Sequence, residues 1–465
     1  MRPFSMRDKL GYTLGDLGCC CTEQFRAMYL SVFYTLILQV NPFHIGILML
    51  ITKIWDAVND PIIGAIVDSR EATKGGKFIP WIRAFSFPMA VLCILGFVNV
   101  SNLAYGLRLA YMFVTYVLYE ALYTCVNVPF GTLSSVMTDD VRHRTALSRY
   151  RSLGGTIFMT VIVMVGPLVL YVDNKPVAGR FLMLASVFAL IGLLCLQITC
   201  VWCKERVAVP ERPKGEKLNY LHVIKEIAKN KALLGVMFFS LVGMIGASVV
   251  NGLNTYLFKD YFGNVKIMAV SGGLSVLYSL ITFAITQPLA DKLGKKEWCC
   301  WGAGFAAAVF ALLFFFPIHN PVLFIVINGV CYLGASGMQV LIWAMVNDSI
   351  DYHELQTGER NEGIVYSTYS FFRKLASAVS GSLSSFVLGF IGYNVAEGAM
   401  QTAEVSNAIW KSYTGIYVLG YGVAVAILFF VYPLTKAKTT EMLEQLKARR
   451  AEKASAVETD GEQCP

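Results

Sequence analysis

An apolar segment of the chain, residues 43–67, contains two aspartates four positions apart, Asp56 and Asp60, with Asn59 beside them. On a helix, positions i and i+4 lie on one face, so both carboxylates would project in the same direction. Two carboxylates in a low dielectric repel each other unless a cation or a proton lies between them. Oxygen ligands of this kind suit hard cations, so the pattern predicts a site for Na⁺, Li⁺ or H⁺. The competing interpretation is a salt bridge of Lys53 with one of the aspartates.

A second group of polar residues lies in the first apolar segment, 11–38. Glu23 and Arg26 are three positions apart, about one turn after Cys20. Ionisable side chains are costly inside a membrane, so both are candidate functional residues. An arginine can bind a carboxylate through two parallel hydrogen bonds, which would suit an acidic ligand. The alternative, which we favour, is an internal ion pair of Arg26 with Glu23 or Glu120.

Other polar residues indicate different roles. Asp348 and Asp351 end a later apolar segment, where we expect them to gate the protein through ion pairs with Lys and Arg of other loops. The five histidines lie in or near loops, which disfavours a histidine proton relay. Most of the twelve cysteines lie inside apolar runs, which disfavours a disulfide framework or a zinc site.

The elements that carry these residues are long apolar runs. A membrane-spanning helix needs about 20 mostly apolar residues, whereas the strands of a membrane barrel have about 10 alternating ones. The runs are much longer than barrel strands, so they predict helices. Twelve segments satisfy the criterion: 11–38, 43–67, 80–100, 103–130, 152–172, 181–202, 232–258, 267–290, 298–317, 321–347, 363–392 and 412–434.

Composition and charge agree with a membrane protein. The chain is 56% hydrophobic and only 15% charged, against about 25% charged residues in soluble domains. This disfavours a soluble enzyme. The net charge of +8 comes from Lys and Arg concentrated in alternate loops and in the termini, which predicts that both termini are cytoplasmic. The same bias explains the positive charge without a nucleic-acid partner.

A charged interval at 203–231 divides the segments into two sets of six. In each half, an aspartate ends the second segment and is followed by Gly and Lys, at Asp68 and Asp291, which resembles the loop motif of the major facilitator superfamily. The predicted domains are a six-helix bundle (1–203), a cytoplasmic loop (204–231), a second six-helix bundle (232–436) and a cytoplasmic tail (437–465). The tail begins with a short helical pattern and ends polar, so we expect it to be partly disordered.

Several stretches carry a more specific resemblance. KIWDAVNDPIIGAIVD, followed by GGKFIPWI, closely resembles the corresponding stretch of the glycoside–pentoside–hexuronide:cation symporters, the family of melibiose permease. Four others are similar in order and spacing: KLGYTLGDLG at 9–18, YTCVNVPFGTL at 123–133, RTALSRYR at 144–151 and NDSIDYHELQTGERNEGIVYS at 347–367. The resemblance covers about 2–378. It implies an all-α polytopic membrane protein with the major facilitator fold, in which twelve transmembrane helices form two six-helix bundles.

The resemblance also implies which residues bind ligands. Carried over position by position, the cation site would consist of Asp56, Asn59, Asp60 and Thr124. Where the family uses acidic or aromatic sugar-binding residues, this chain has Cys20, Asn127 and Gln339, which implies a different sugar. Arg151 and Lys374 match basic residues that the family places around the sugar cavity. To these and the three replaced positions, the residues of this chain add Glu23, Arg26, Tyr123 and Trp343. The predicted substrate-binding residues are therefore Cys20, Glu23, Arg26, Tyr123, Asn127, Arg151, Gln339, Trp343 and Lys374.

The function predicted from these features is secondary active symport of a glycoside, pentoside or hexuronide with Na⁺ or H⁺, by alternating access in the cell inner membrane. We expect a monomer with no cofactor besides the coupling cation, and we favour a neutral sugar. The alternatives are transport of a non-sugar solute such as a lysolipid, or a membrane sugar sensor. An enzyme would need a nucleophile–base or metal constellation in the spans, and the sequence shows none.

Overall fold

The structure is a computed structural model that describes residues 3–69, 76–138, 140–206, 230–357, 369, 376, 380, 382–396 and 401–461. Within these ranges, the side chains of residues 57, 61, 65, 68, 69, 141, 142, 144, 145 and 450–461 lie outside the description.

In the described residues up to 206, the chain forms six long helices and one short hairpin. The helices are α1 (Met6–Leu36), α2 (Pro42–Ser69), α3 (Ile79–Leu95), α4 (Tyr105–Met137), α5 (Val141–Leu170) and α6 (Ala178–Trp202). The strands β1 (Tyr171–Val172) and β2 (Lys175–Pro176) pair antiparallel between α5 and α6.

The second half is also helical where it is described. Its helices are α7 (Lys231–Tyr256), α8 (Ile267–Leu293), α9 (Lys295–Phe315), α10 (Pro321–Ala335), α11 (Gly337–Thr357), α12 (Ala403–Phe430) and α13 (Lys436–Gly461). α7 continues as a five-residue π-helix, Leu257–Tyr261. Residues 382–390 are helical too.

The predicted span 321–347 is divided in the structure. α10 ends at Ala335 and α11 begins at Gly337, with a turn at Ser336. Gly337 approaches Trp298 so closely that a Cβ would lie 2.5 Å from the indole Nε1. Hydropathy alone did not indicate this break, since both halves are apolar. The segment 363–392 lies largely outside the described residues, so the count of twelve spans stays a prediction.

Eight helices in the described part of the chain are long and apolar enough to cross a membrane. α1 and α2 are not among them, although they have 31 and 28 residues. Both carry the ionisable residues singled out above, which lower their hydropathy. A helix that is long enough to span but holds buried charges is where a membrane protein places a polar site.

The chain divides into two compact units, and the first contains most of the candidate residues. It consists of Met1–Lys214, Asn251–Gly273 and Gly381–Trp410. Within it, α1 packs on α5 and α6, α3 packs on α4 and α6, and α2 packs on α4. α1 and α6 approach closely at Gly18 and Gly192, where a Cβ on Gly18 would lie 2.8 Å from the Gly192 carbonyl oxygen. Small residues allow such backbone contact between membrane helices.

Two polar clusters fix loops of this first unit. The Glu205 carboxylate accepts hydrogen bonds from the backbone N–H groups of Lys77, Phe78 and Ile79, at 2.7–2.8 Å, and so caps the start of α3. In the hairpin between α5 and α6, the Asn174 side chain donates to the Lys259 carbonyl and accepts from the Val265 N–H, both at 2.9 Å. This ties the hairpin to the segment 251–273.

A buried hydroxyl joins the segments 251–273 and 381–410 within the same unit. The Tyr393 phenol donates to Asp260 Oδ2 at 2.8 Å, while Lys259 Nζ contacts Asp260 Oδ1 at 2.7 Å. Burial and the neighbouring Asp260 carboxylate raise the pKa of Tyr393 well above its ordinary value. The phenol therefore stays protonated and remains a donor.

The second unit consists of Gly215–Val250, Leu274–Ser380 and Lys411–Pro465. In it, α9 packs on α10 and α11, and α13 packs on α11 and α9. The helix α13 continues to Gly461, which is further than the sequence pattern predicted for the tail. Met442 and Leu446 are buried at 3% and 1% exposure, and Arg449 donates to the Leu355 carbonyl of α11 at 3.1 Å. An apolar stripe of this kind stabilises a helix by packing.

Candidate cation and substrate site

The predicted cation-binding residues lie on α2 and α4, which pack together in the first unit. The Thr124 hydroxyl on α4 donates a hydrogen bond to Asp60 Oδ1 on α2 at 3.1 Å. Asn59 is buried at 4% exposure, and the Asp56 side chain, one turn before Asp60, is 29% exposed. The structure thus brings a hydroxyl and a carboxylate from two helices together, and binding of a cation there stays a prediction.

A lysine lies beside this group. Lys53 Nζ is 4.0 Å from Asp56 Oδ2 on its own helix, so the salt bridge considered from the sequence is present at the limit of contact. The same ammonium is 3.9 Å from Glu120 Oε1 on α4. Lys53 therefore has two carboxylate neighbours. Its second neighbour was missed from the sequence, although Glu120 lies four positions before Thr124 and so faces α2 as Thr124 does.

Arg26 on α1 is engaged by the same glutamate. Arg26 Nη1 lies 3.7 Å from Glu120 Oε1, and both side chains are nearly inaccessible, at 3% and 2% exposure. The guanidinium also lies over the Tyr119 ring, with Cζ 3.4 Å from its centroid, which is a cation–π contact. Of the partners considered from the sequence, the structure pairs Arg26 with Glu120. Glu23 Oε2 is buried with no hydrogen-bond partner among the described residues.

A separate polar group joins α1 to α5. Asp16 Oδ1 accepts a hydrogen bond from Arg151 Nε at 3.1 Å, and Asp16 Oδ2 accepts one from the Gly155 N–H at 2.9 Å. The Cys20 thiol contacts the same carboxylate at 3.8 Å, and Gln24 donates to Cys20 Sγ at 3.4 Å. The resemblance implied a substrate-binding role for Arg151 and gave it no partner. The pairing of Arg151 with Asp16 could not be read from local spacing, because 135 positions separate them.

Two further predicted substrate residues lie on α4. Tyr123 stacks on Tyr119 with ring centroids 6.0 Å apart. Asn127, one turn later, is half-buried, and the structure records no hydrogen bond of its side chain among the described residues. An amide with free donors and an acceptor is suited to sugar hydroxyls.

The remaining predicted residues that are described belong to the second unit. Gln339 is exposed and lies two residues after the start of α11. Trp343 contacts Tyr369 edge-on, with ring centroids 5.0 Å apart. Asp348 forms an ion pair with Lys295, whose Nζ lies 2.7 Å from Asp348 Oδ1. That contact joins the start of α9 to α11, and its role in gating stays a prediction.

For three of the residues singled out from the sequence, the structure describes few contacts or none. Lys374 lies outside the described residues, as does the side chain of Asp68. Asp351 is half-buried in the last turns of α11, and its predicted gating role stays a prediction.

Comparison with known proteins gives the family. Residues 11–436 match the family described as MFS/sugar transport protein. The chain belongs to this family. The symporter YjmB of Bacillus subtilis, described as uncharacterized, is 31% identical over 446 residues, which are 95% of each chain. The isoprimeverose transporter of Lactiplantibacillus pentosus is 29% identical and covers 97% of this chain and 93% of its own. Proteins of the MFS/sugar transport family are membrane transporters, not enzymes.

Solved structures show the fold independently. The crystal structure of the nucleoside transporter NupG superposes on this chain with a TM-score of 0.61, at 15% identity, covering 90% of this chain and 98% of NupG. At this identity the likeness concerns the fold alone. The major facilitator fold and the multi-pass membrane class, both implied by the resemblance of the motifs, are confirmed.

Proposed function

We propose that the protein is a secondary active symporter that couples uptake of a sugar to a monovalent cation by alternating access. The observation that carries the proposal is the contact between Thr124 and Asp60, which joins two helices at the predicted cation site. Relatives whose names include a symporter and an isoprimeverose transporter support sugar uptake coupled to a second solute.

The cation would bind to oxygens of Asp56, Asn59, Asp60 and Thr124. Two carboxylates supply enough negative charge to compensate the dehydration of one monovalent ion, and the threonine hydroxyl adds a neutral oxygen ligand. Na⁺ and Li⁺ suit this oxygen set, and a proton could occupy the same carboxylates. Without the cation, the carboxylates of Asp56 and Asp60 repel each other, and its arrival would remove this repulsion.

The sugar would bind nearby, to hydroxyl, amide and thiol groups of α1 and α4. Asn127 offers two donors and one acceptor. Tyr123 lies on α4 with Asn127, and Cys20 lies on α1 with Asp16. Gln339, Trp343 and Lys374, which were predicted from the sequence to bind the sugar, stay predictions. The coupling would be a binding free energy that cation and sugar share reciprocally, so each ligand raises the affinity for the other.

We propose a neutral glycoside or pentoside as the substrate. In the part of the first unit that the structure describes, the basic side chains of the predicted cavity already have partners: Arg26 pairs with Glu120, and Arg151 pairs with Asp16. A carboxylate of an acidic sugar would compete with these partners for the two guanidinium groups. Both termini would be cytoplasmic. Asp348, which pairs with Lys295, and Asp351 would take part in gating at the cytoplasmic side.

Whole-cell uptake tests the proposal. Cells that express the full chain would receive labelled glycosides, pentosides and hexuronides, each with and without sodium and with and without a protonophore. We expect accumulation of at least one neutral sugar above its external concentration, driven by sodium or by the proton gradient. Asp60→Asn removes one carboxylate of the predicted cation site, and Asp173→Asn, an exposed loop substitution, is its matched control. Accumulation of none of these sugars would overturn the proposal, and uptake of a lysolipid instead would identify the non-sugar alternative.

A further inference from the structure

Lys53 lies between the carboxylates of Asp56 and Glu120 and forms a close ion pair with neither. Its Nζ is 4.0 Å from Asp56 Oδ2 and 3.9 Å from Glu120 Oε1. A direct hydrogen bond between an ammonium and a carboxylate is about 2.7–2.9 Å long. Both contacts are longer than this by about an ångström, so a small movement of the ammonium in either direction would complete one pair and break the other.

Glu120 is the fixed member of this arrangement. Arg26 lies 3.7 Å from it, and Arg26 in turn lies over the Tyr119 ring. The Glu120 and Arg26 side chains are 2% and 3% exposed, whereas Lys53 is 22% exposed and ends a flexible four-carbon stem. The lysine is therefore the group that can move.

One of its two partners is a predicted ligand of the coupling cation. A metal cation bound to Asp56 and Asp60 would meet the Lys53 ammonium close to Asp56, and two positive charges at such separation repel. The lysine would need another negative partner when the cation arrives. Glu120 lies at the right distance to be that partner.

We propose that Lys53 is a movable counter-charge of the cation site, paired with Asp56 when the site is empty and held by Glu120 when Na⁺ or Li⁺ is bound. This rests on the cation site of the proposed function. Lys53 and Glu120 are positioning residues, because neither binds the ion. With the site empty, the ammonium offsets the repulsion between Asp56 and Asp60, which suits return of the unloaded transporter. With the ion bound, Glu120 holds the Lys53 ammonium, which then no longer competes with the ion for Asp56.

Equilibrium binding of radioactive sodium to the purified full-length protein tests the proposal. Glu120→Gln should weaken binding about tenfold, because Lys53 then loses a carboxylate that competes with Asp56 for it. Lys53→Gln should strengthen binding about tenfold, the size expected for one nearby charge. The double variant should bind as Lys53→Gln does. Simple loss of a negative charge predicts otherwise, since Glu120→Gln would then weaken binding in both backgrounds. Glu404→Gln and Lys266→Gln, at exposed positions of the same unit, are the matched controls.

Two safeguards keep the result decisive. If Glu120→Gln does not fold, the test rests on Lys53→Gln, which leaves Arg26 paired with Glu120 and should strengthen sodium binding about tenfold. Lys53→Gln that binds sodium no more tightly than the wild type overturns the proposal. A wild type that binds neither Na⁺ nor Li⁺ also overturns it, and sugar transport is then judged separately by proton-driven uptake. Sodium binding by the wild type that Asp60→Asn abolishes supports the cation site, independently of the lysine.

Discussion

The Thr124 hydroxyl donates a hydrogen bond to the Asp60 carboxylate at 3.1 Å, and this contact connects α4 with α2. Both residues come from motifs that lie 64 positions apart. The threonine therefore orients one carboxylate of the predicted cation site, and it presents its own oxygen to the same space.

Thr124→Val should weaken cation binding by about two- to tenfold, because it removes an oxygen ligand and the hydrogen bond, which is worth about 0.5–1.5 kcal/mol. Thr124→Ser keeps the hydroxyl and should bind nearly as the wild type does. The measurement is the sodium concentration that gives half-maximal sugar uptake. Equal values for the valine variant and the wild type would place Thr124 outside the site.

Asn127→Ala should raise the sugar concentration needed for half-maximal uptake by about tenfold, because sugar hydroxyls lose an amide partner and buried hydroxyls without partners are costly. Cation affinity in the absence of sugar should not change. Asn102→Ala, an exposed loop substitution, is the control. Unchanged sugar affinity across all accepted sugars would mean that the sugar binds elsewhere.

Glu120→Ala should destabilise the folded protein by about 3–5 kcal/mol, because it leaves the buried Arg26 guanidinium without its carboxylate. Glu23→Gln should have a smaller effect, since Glu23 Oε2 has no hydrogen-bond partner among the described residues. Thermal unfolding of the two variants in detergent gives the comparison. A larger loss in the Glu23 variant would make Glu23 the main partner of Arg26.

Glu205→Ala should lower the stability of the first unit by about 1–3 kcal/mol, because three backbone N–H groups at the start of α3 lose their acceptor. Glu205→Gln keeps one acceptor oxygen, so it should lie between the alanine variant and the wild type. Thermal unfolding again provides the measurement, and an alanine variant as stable as the wild type would refute the capping role.

Much of the fold could be predicted from hydropathy, because a helix that crosses a membrane must be long and apolar. In lipid, a helix is also one of the few structures that pairs all of its backbone N–H and C=O groups. α2, α8 and α9 begin and end within a few residues of the predicted segments. The break at Ser336 could not be predicted from hydropathy, since the residues on both sides of it are apolar. α13 is also longer than the helical pattern of the tail indicated, and its packing on α11 could not be read from that pattern.

The candidate site was predictable where it depends on local spacing. The i, i+4 relation of Asp56 and Asp60 is a property of one helix. The partner of Arg26 was not predictable, because Glu23 on the same helix and Glu120 on another are equally available in sequence terms. In the structure, Arg26 packs on the Tyr119 ring, and its guanidinium lies beside Glu120 on the same helix as Tyr119.

The most direct test of the central claim compares two transport assays on Asp60→Cys, with Asp56→Cys as its companion. Sugar accumulation driven by the cation gradient should be abolished in both variants, because one carboxylate does not hold the coupling cation. Exchange of labelled for unlabelled sugar across the membrane should survive, because the sugar-binding residues remain. Full cation-driven accumulation in both variants would contradict the assignment of Asp56 and Asp60 as the coupling site.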